Sequence, residues 1–375
     1  MDTFADLPDA LVRDLLATAE PVGRKVAENL RILREARAGL RKQASAQGAI
    51  KRKADLDVSR EPSVVGIDGS YQIHRLTALD LAACAAVAVE GTAKEARRYW
   101  PEPYHEMWVD TLPHDAEVVG ALRGLMVSME LRLASTAPHD LVLLDGSFSS
   151  LIIYLNQALT QLGESAASLK DAFLSNWNSG LLGSLKALVT SERTVAIPKF
   201  TSRNELQRDH IAEIGMPVDG KTVATLILDP GEYIEPLPVY SDADPSSRQV
   251  DHLPVKYCPS EDMKDLVHGL RALKVTYFRP YGWLPAQRIE LPFAVASSPT
   301  RLSMVLEGIM RQFLSPAVCE PYPLFLADRM VKSLGSGVAV VEQAVAQYVA
   351  GDSPDIETTL LCLQNYRTEG GRGGV

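Results

Sequence analysis

Two segments of the chain repeat one design. Val64-Val65-Gly66-Ile67-Asp68-Gly69-Ser70 and Leu141-Val142-Leu143-Leu144-Asp145-Gly146-Ser147 each run a short apolar strand into Asp-Gly-Ser. Such a segment reads as a buried strand that ends with a carboxylate at the rim of the core. Glycine then lets the backbone turn without a Cβ clash. Asp-Gly is also a common turn dipeptide, so either motif alone reads first as a plain turn. The pair says more. Two carboxylates at the ends of neighbouring strands repel each other unless a cation joins them, and oxygen-only ligands suit Mg²⁺ or Mn²⁺.

Further candidates stand in phase with apolar residues. Glu130 lies four residues after Met126 and three before Leu133, at the edge of a helical stripe that should face the sheet. Its plain alternative is a surface pair with Arg123 or Arg132. Asp328 is in phase with Leu324 and Val331, where a buried carboxylate needs a metal or a cationic partner, Arg329 or Lys332 among them. Lys199, just past an expected strand, is placed to touch a phosphate or pair with a carboxylate; a solvated lysine is the alternative. Tyr277, Arg279, Tyr281 and Trp283 mix aromatic and basic chemistry, as a nucleic-acid contact or as core aromatics.

Other chemistries are poorly served. There is no GxSxG or HExxH. The seven histidines are scattered, and the four cysteines, Cys84, Cys258, Cys319 and Cys362, form no CxxC pair. What survives is a hydrolase whose water is activated by metal held on carboxylates.

The elements that must position these groups follow from periodicity. Residues 1–57 read as a helical extension, with leucines and valines at three- and four-residue steps and a break at Pro21 and Gly23. From Arg24 to Arg60 there are eleven basic and four acidic residues. The extension therefore reads as packing on the core, as a dimer contact or as a basic DNA-guiding arm. Residues 58–350 read as one α/β domain with a mixed central sheet flanked by helices. Strands are expected to end at Asp68, at Asp145 and near Pro198, with others at Leu76–Val89, Val223–Leu228, Val275–Arg279 and Arg288–Leu291. Tyr99–Pro113 reads as a connection and Asp115–Ala134 as the clearest amphipathic helix. Residues 351–375 form a C-terminal segment whose glycine-rich tail is expected to be disordered.

Bulk composition sets limits. The 375 residues are 46% hydrophobic, ample for a buried core, and carry a formal charge of −9. That balance argues against a protein that coats nucleic acid, though not against an enzyme with a local basic channel. No stretch reaches the roughly 18 apolar residues of a membrane span, and no secretory signal is evident. The expected setting is the cytoplasm, with reduced thiols and no membrane.

The order of these motifs resembles the NurA nuclease family across roughly residues 60–340. The resemblance rests on strand-Asp68-Gly69-Ser70, the helix with Glu130, strand-Asp145-Gly146-Ser147, and Pro321-Tyr322-Pro323-Leu324 running to Ala327-Asp328. Ile197-Pro198-Lys199-Phe200-Thr201-Ser202-Arg203 and Pro230-Gly231-Glu232-Tyr233 are similar as well. The resemblance implies an RNase H-like core. It also implies a Mn²⁺- or Mg²⁺-dependent nuclease that degrades DNA from 5′ ends and cuts single strands; the chemistry independently suits two ions, one activating a water and one stabilising the leaving oxygen. A homodimer working with a HerA-type hexameric translocase in DNA end resection and double-strand break repair is implied too. By the same resemblance Asp68, Glu130 and Asp145 are metal ligands, Asp328 stands where the family commonly has histidine, and Tyr277 corresponds to a family tyrosine near the site. Two alternatives remain: a catalytically silent docking subunit of a translocase, and an RNase H-like enzyme acting on RNA.

Overall fold

The computed structural model describes residues 7–365 except 58–59, 93–97, 116, 162, 164–165, 212–213, 215, 242–256, 259 and 353–354. The glycine-rich tail lies outside the described residues. In chain order the elements begin with α1 (Asp9–Ala17), α2 (Ala19–Ala46), β1 (Ile50–Arg52), β2 (Val64–Arg75), β3 (Asp80–Glu90), β4 (Tyr104–Leu112) and α3 (Val118–Thr136). Next come β5 (Leu141–Asp145), α4 (Phe148–Gln161), α5 (Ala167–Asn176), α6 (Leu182–Val189), β6 (Thr194–Ile197), α7 (Glu205–Asp209) and α8 (Gly220–Ile227). The chain continues with β7 (Glu232–Ile234), β8 (Leu237–Pro238), α9 (Ser260–Arg271), β9 (Lys274–Arg279) and β10 (Gln287–Leu291). It closes with α10 (Phe293–Ala296), α11 (Pro299–Arg311), α12 (Tyr322–Lys332), α13 (Leu334–Asp352) and α14 (Ile356–Cys362).

Among the described residues the strands form one sheet in the order β1-β7-β9-β10-β6-β5-β2-β3-β4, with β8 beside β9. Strands β2, β3 and β4 are antiparallel, whereas β2, β5 and β6 are parallel. Parallel neighbours need crossovers, and α3 and α4–α6 occupy those connections. This is the mixed central sheet flanked by helices expected from the sequence. Both faces are covered. Val65, Ile67, Val142, Leu144, Ala196 and Tyr277 join a core with α3–α6, whereas Val64, Leu141, Leu143, Val195, Ile197 and Phe278 join a core with α11 and α12. The alternation follows from the two-residue strand period.

Several expectations need correction. β2 does not stop at Asp68: it runs on to Arg75, paired residue for residue with β3. Tyr99–Pro113 is not simply a connection, since Tyr104–Leu112 forms the edge strand β4, which suits its aromatic and β-branched residues. Val223–Leu228 is largely helix, not strand. Val223, Ala224 and Ile227 share the buried face of α8, and Asp219 caps it by accepting the Thr222 N–H at 2.9 Å. The N-terminal break falls at Thr18 rather than at Pro21 or Gly23. Pro21 sits in the first turn of α2, where a missing N–H goes unnoticed.

Candidate metal centre

The parity of the sheet builds the site. Asp68 has the parity of Val64, and Asp145 that of Leu141 and Leu143, so both carboxylates face α12. Lys199, two residues past Ile197, continues the same parity. The register sets β5 against β2 only from Val64↔Leu141 to Ile67↔Leu144. Beyond that point the β5-side edge of β2 has no strand partner among the described residues. A notch opens there, floored by Asp68 and Asp145.

α12 supplies the next group. Leu324, Ala327 and Val331 bury one face, and Asp328 sits beside them at the notch. Asp68, Asp145 and Asp328 each offer an oxygen within 4.8 Å of the others, the one such acidic group among the described residues. Lys199 Nζ lies in their midst, 2.9 Å from Asp328 Oδ1, 3.1 Å from Asp145 Oδ2 and 4.0 Å from Asp68 Oδ2. It is also 3.2 Å from Glu320 Oε2. Lys332 Nζ holds the other Asp328 oxygen at 2.9 Å, so the ion-pair alternative for Asp328 is realised together with the clustering.

Glu130 arrives from the opposite face. It is buried on α3, and a Cβ on Gly69 would lie 2.5 Å from its Oε1 and 2.8 Å from Met126 Cγ. The bare Gly69 backbone is what lets the carboxylate reach the strand. Neither alternative partner takes it: Arg123 bonds the Tyr71 hydroxyl at 2.9 Å, and Arg132 bonds Asn176 at 2.5 Å. Glu130 is outside the 4.8 Å group but near enough to Asp68 and Asp145 for their charges to bear on one another.

The electrostatics are those of crowded acids. Burial, then Asp145 and Glu130, push Asp68 up to about 9, with Lys199 pulling the other way. Burial and then Asp145 push Glu130 up to about 8, against the Gly69 N–H. Burial also raises Glu320, which Lys199 partly offsets. Asp328 goes the other way: burial raises it, but its bonds to Lys332 and Lys199 outweigh that and hold it low. Burial lowers Lys199, yet Asp145, Asp328, Asp68 and Glu320 together raise it beyond an ordinary lysine. The site is acidic, oxygen-lined and short of positive charge. Such a donor set fits a hard divalent cation such as Mn²⁺ or Mg²⁺.

Not every candidate joins the cluster. Tyr277 shares the parity of Val275 and faces the α3–α6 side, away from Asp68. It is fully buried and donates its hydroxyl to Glu205 Oε2 at 2.7 Å. Glu205 and Glu290 both pair with the buried Arg288, at 2.5 Å each. Glu290 in turn accepts from Ser147 Oγ at 2.9 Å and from the Phe148 N–H at 2.9 Å. Tyr277 therefore belongs to a buried network that grips the turn after Asp145, rather than to the carboxylates. Arg279 spends its guanidinium on backbone carbonyls, including that of Leu228 at 2.7 Å. Tyr281 and Trp283 stack on each other with ring centroids 5.1 Å apart.

Sequence reasoning missed Glu320 and the Arg288 network. Glu320 precedes α12 in Cys319-Glu320-Pro321 with no apolar phase to mark it. Arg288 and Glu290 alternate with Ile289 and Leu291 on a strand buried along its whole length, a hint that the polar pair shares one interior face.

Fold and cluster together define an α/β protein with a mixed central sheet and an acidic, carboxylate-lined centre around Lys199. The chain belongs to the NurA family, whose domain model matches residues 62–333. No curated protein matches the sequence. Among solved structures, the NurA nuclease from Sulfolobus solfataricus is 14% identical with a TM-score of 0.58, covering 92% of this chain and 98% of its own. A crystal structure of NurA is 13% identical, with a TM-score of 0.53 and coverage of 91% and 99%. Another, of NurA with manganese, is 12% identical, with a TM-score of 0.52 and coverage of 90% and 99%. At such identities these structures bear on the fold alone. No helix among the described residues is long and apolar enough to cross a membrane.

Proposed function

We propose that the chain is a Mn²⁺- or Mg²⁺-dependent deoxyribonuclease that hydrolyses DNA phosphodiesters at the notch beyond β5. The observation that carries this reading is the convergence of Asp68, Asp145 and Asp328 oxygens within 4.8 Å. NurA membership supports it independently. Asp68, Asp145 and Asp328 would hold one cation, and Glu130, reaching the strand past Gly69, would complete the set for a second. Bound there, such ions lower the pKa of a water and stabilise the leaving oxygen. Lys199 neutralises the carboxylates where no cation does, and turns to the incoming phosphate once a cation takes over that task. Lys332 and Lys221 keep Asp328 and the Lys199 backbone in place, Lys221 through a 3.0 Å bond to the Lys199 carbonyl.

The finer reading is 5′-to-3′ exonuclease and single-strand endonuclease activity in DNA end resection. The protein would work as a homodimer with a HerA-type hexameric translocase, in the cytoplasm. The N-terminal helices favour the dimer contact over a DNA-guiding arm. Leu15, Val22, Val26 and Leu30 are exposed there, while Arg24 and Arg31 are paired with Glu20, Glu28 and Glu35 on the same helix. A translocase that feeds DNA into the notch also reconciles the formal charge of −9 with a nucleic-acid substrate.

The test is cleavage of labelled single-stranded DNA and of RNA of the same sequence by the full chain, with Mn²⁺, Mg²⁺ or EDTA. Metal-dependent DNA cleavage lost in Asp68→Asn is the expected result. No cleavage with either metal, with or without a HerA-type partner, would leave the silent docking subunit; RNA cleaved in preference would redirect the substrate.

A further inference from the structure

Phe200 follows Lys199 directly, yet the two side chains have opposite fates. Lys199 Nζ is held among the carboxylates, 3.1 Å from Asp145, whereas Phe200 is 93% exposed, the most exposed of the large hydrophobic side chains among the described residues. An isolated phenylalanine in water forgoes the burial that normally places it in a core. The segment is not simply loose. The Lys199 carbonyl accepts from Lys221 Nζ at 3.0 Å. Thr201 Oγ1 accepts the Arg203 N–H at 3.0 Å, and the Arg203 carbonyl accepts the Gly220 N–H at 2.8 Å. The backbone is thus anchored on both sides of Phe200, and the ring is presented to solvent directly after Lys199.

We infer that Phe200 is a stacking platform for one nucleobase of the substrate, next to the phosphate that Lys199 would face. The inference rests on the nuclease reading and names a contact within that site. An aromatic face takes any base, so it grips a strand without selecting sequence, and with the backbone already anchored only the ring's own rotamer is left to fix. Lys199 and Phe200 then divide the nucleotide: one faces the phosphate, the other the base.

The experiment is steady-state cleavage of single-stranded DNA by the full chain and by Phe200→Ala and Phe200→Trp, with sedimentation of each. A series of oligonucleotides carries one abasic site, moved along the strand. Phe200→Ala should raise KM roughly tenfold or more, the scale of one lost base stack, with kcat nearly unchanged. Phe200→Trp should keep KM at or below that of the parent. In the parent one abasic register should raise KM, and in Phe200→Ala that register should have no further effect. An unchanged KM in Phe200→Ala, with the parent active, overturns the stacking role but not the nuclease. A changed association state with unchanged KM also overturns it and gives the ring to a second copy of the chain. A parent that cleaves no nucleic acid with either metal removes the nuclease reading and this inference together.

Discussion

The two Asp-Gly-Ser segments are identical in sequence and different in structure. In the first, Gly69 lies inside a strand, paired with Ala86, and its missing Cβ makes room for Glu130. In the second, Gly146 has φ +83° and turns the chain from β5 into α4. Nothing stands within 4 Å of where its Cβ would be, so there glycine serves backbone conformation and not clearance. The serines differ likewise. Ser147 is bonded to Glu290, whereas Ser70 makes no side-chain hydrogen bond among the described residues. The difference comes from the neighbours. β3 accompanies β2 along its length and keeps it extended, while β5 ends level with the notch. One tripeptide thus serves two purposes, and only its aspartates converge, on one cluster with Asp328.

That comparison is sharpest in activity. Asp68→Asn and Asp145→Asn should each abolish metal-dependent cleavage while circular dichroism shows the fold retained; full activity in either variant would sink the claim that the aspartates are equivalent. Gly69→Ala comes next. The added methyl displaces the end of Glu130 rather than rigid backbone, so activity should fall by about 10–100-fold, the usual scale for disturbing a metal site's surroundings. Melting temperature should move little. A large loss of stability with intact activity would reverse the role given to Gly69.

The acids also predict a pH dependence. Asp68 and Glu130 have folded-state pKa values of about 9 and about 8, above their ordinary values of 3.8 and 4.5. The folded state therefore holds more protons than the unfolded chain between those limits. Stability without metal is greatest below about pH 4 as far as these two groups are concerned, and falls as pH rises toward about 9. Saturating Mn²⁺ should remove that decline, because the cation replaces the protons. Thermal melts in EDTA and in Mn²⁺ across this range test it, with Asp68→Asn flattening the EDTA curve. A parent profile equally flat in both would show that the carboxylates are not strained.

Smaller effects separate the two glycines and the two serines. Gly146→Ala forces a Cβ into the left-handed region and should cost about 1–2 kcal/mol in denaturant melts. Ser147→Ala removes one donor from the buried Glu290 and should cost about 1 kcal/mol, whereas Ser70→Ala should cost less. Equal costs for the serines would mean that the network behind Asp145 does not hold its turn.

How far the site could be read from the chain follows the same logic. Asp68 and Asp145 were legible as a pair, each ending an apolar run in Asp-Gly-Ser, and Asp328 because it stands in phase with Leu324 and Val331, where a buried charge demands a partner. Lys199 was legible as a strand-end cation but not as the hub of four carboxylates. Tyr277 was misplaced because one residue of strand parity decides the face, and the sequence does not say which face carries the site. Val223–Leu228 was misread because an apolar run of that length fits a buried strand or a helix equally; Asp219 as a cap decides it.

By itself the sequence determined an α/β fold with a mixed sheet, two aspartates at the rim of that sheet and a helix between them. Those follow from local periodicity and from the cost of burying charge. Tertiary structure decided where β5 stops against β2, which face α12 covers, and therefore that Asp68, Asp145, Glu320 and Asp328 meet at Lys199. It also decided that Gly69 clears a path while Gly146 turns the chain. Strand register and helix packing join residues more than a hundred positions apart, and no local pattern encodes that distance.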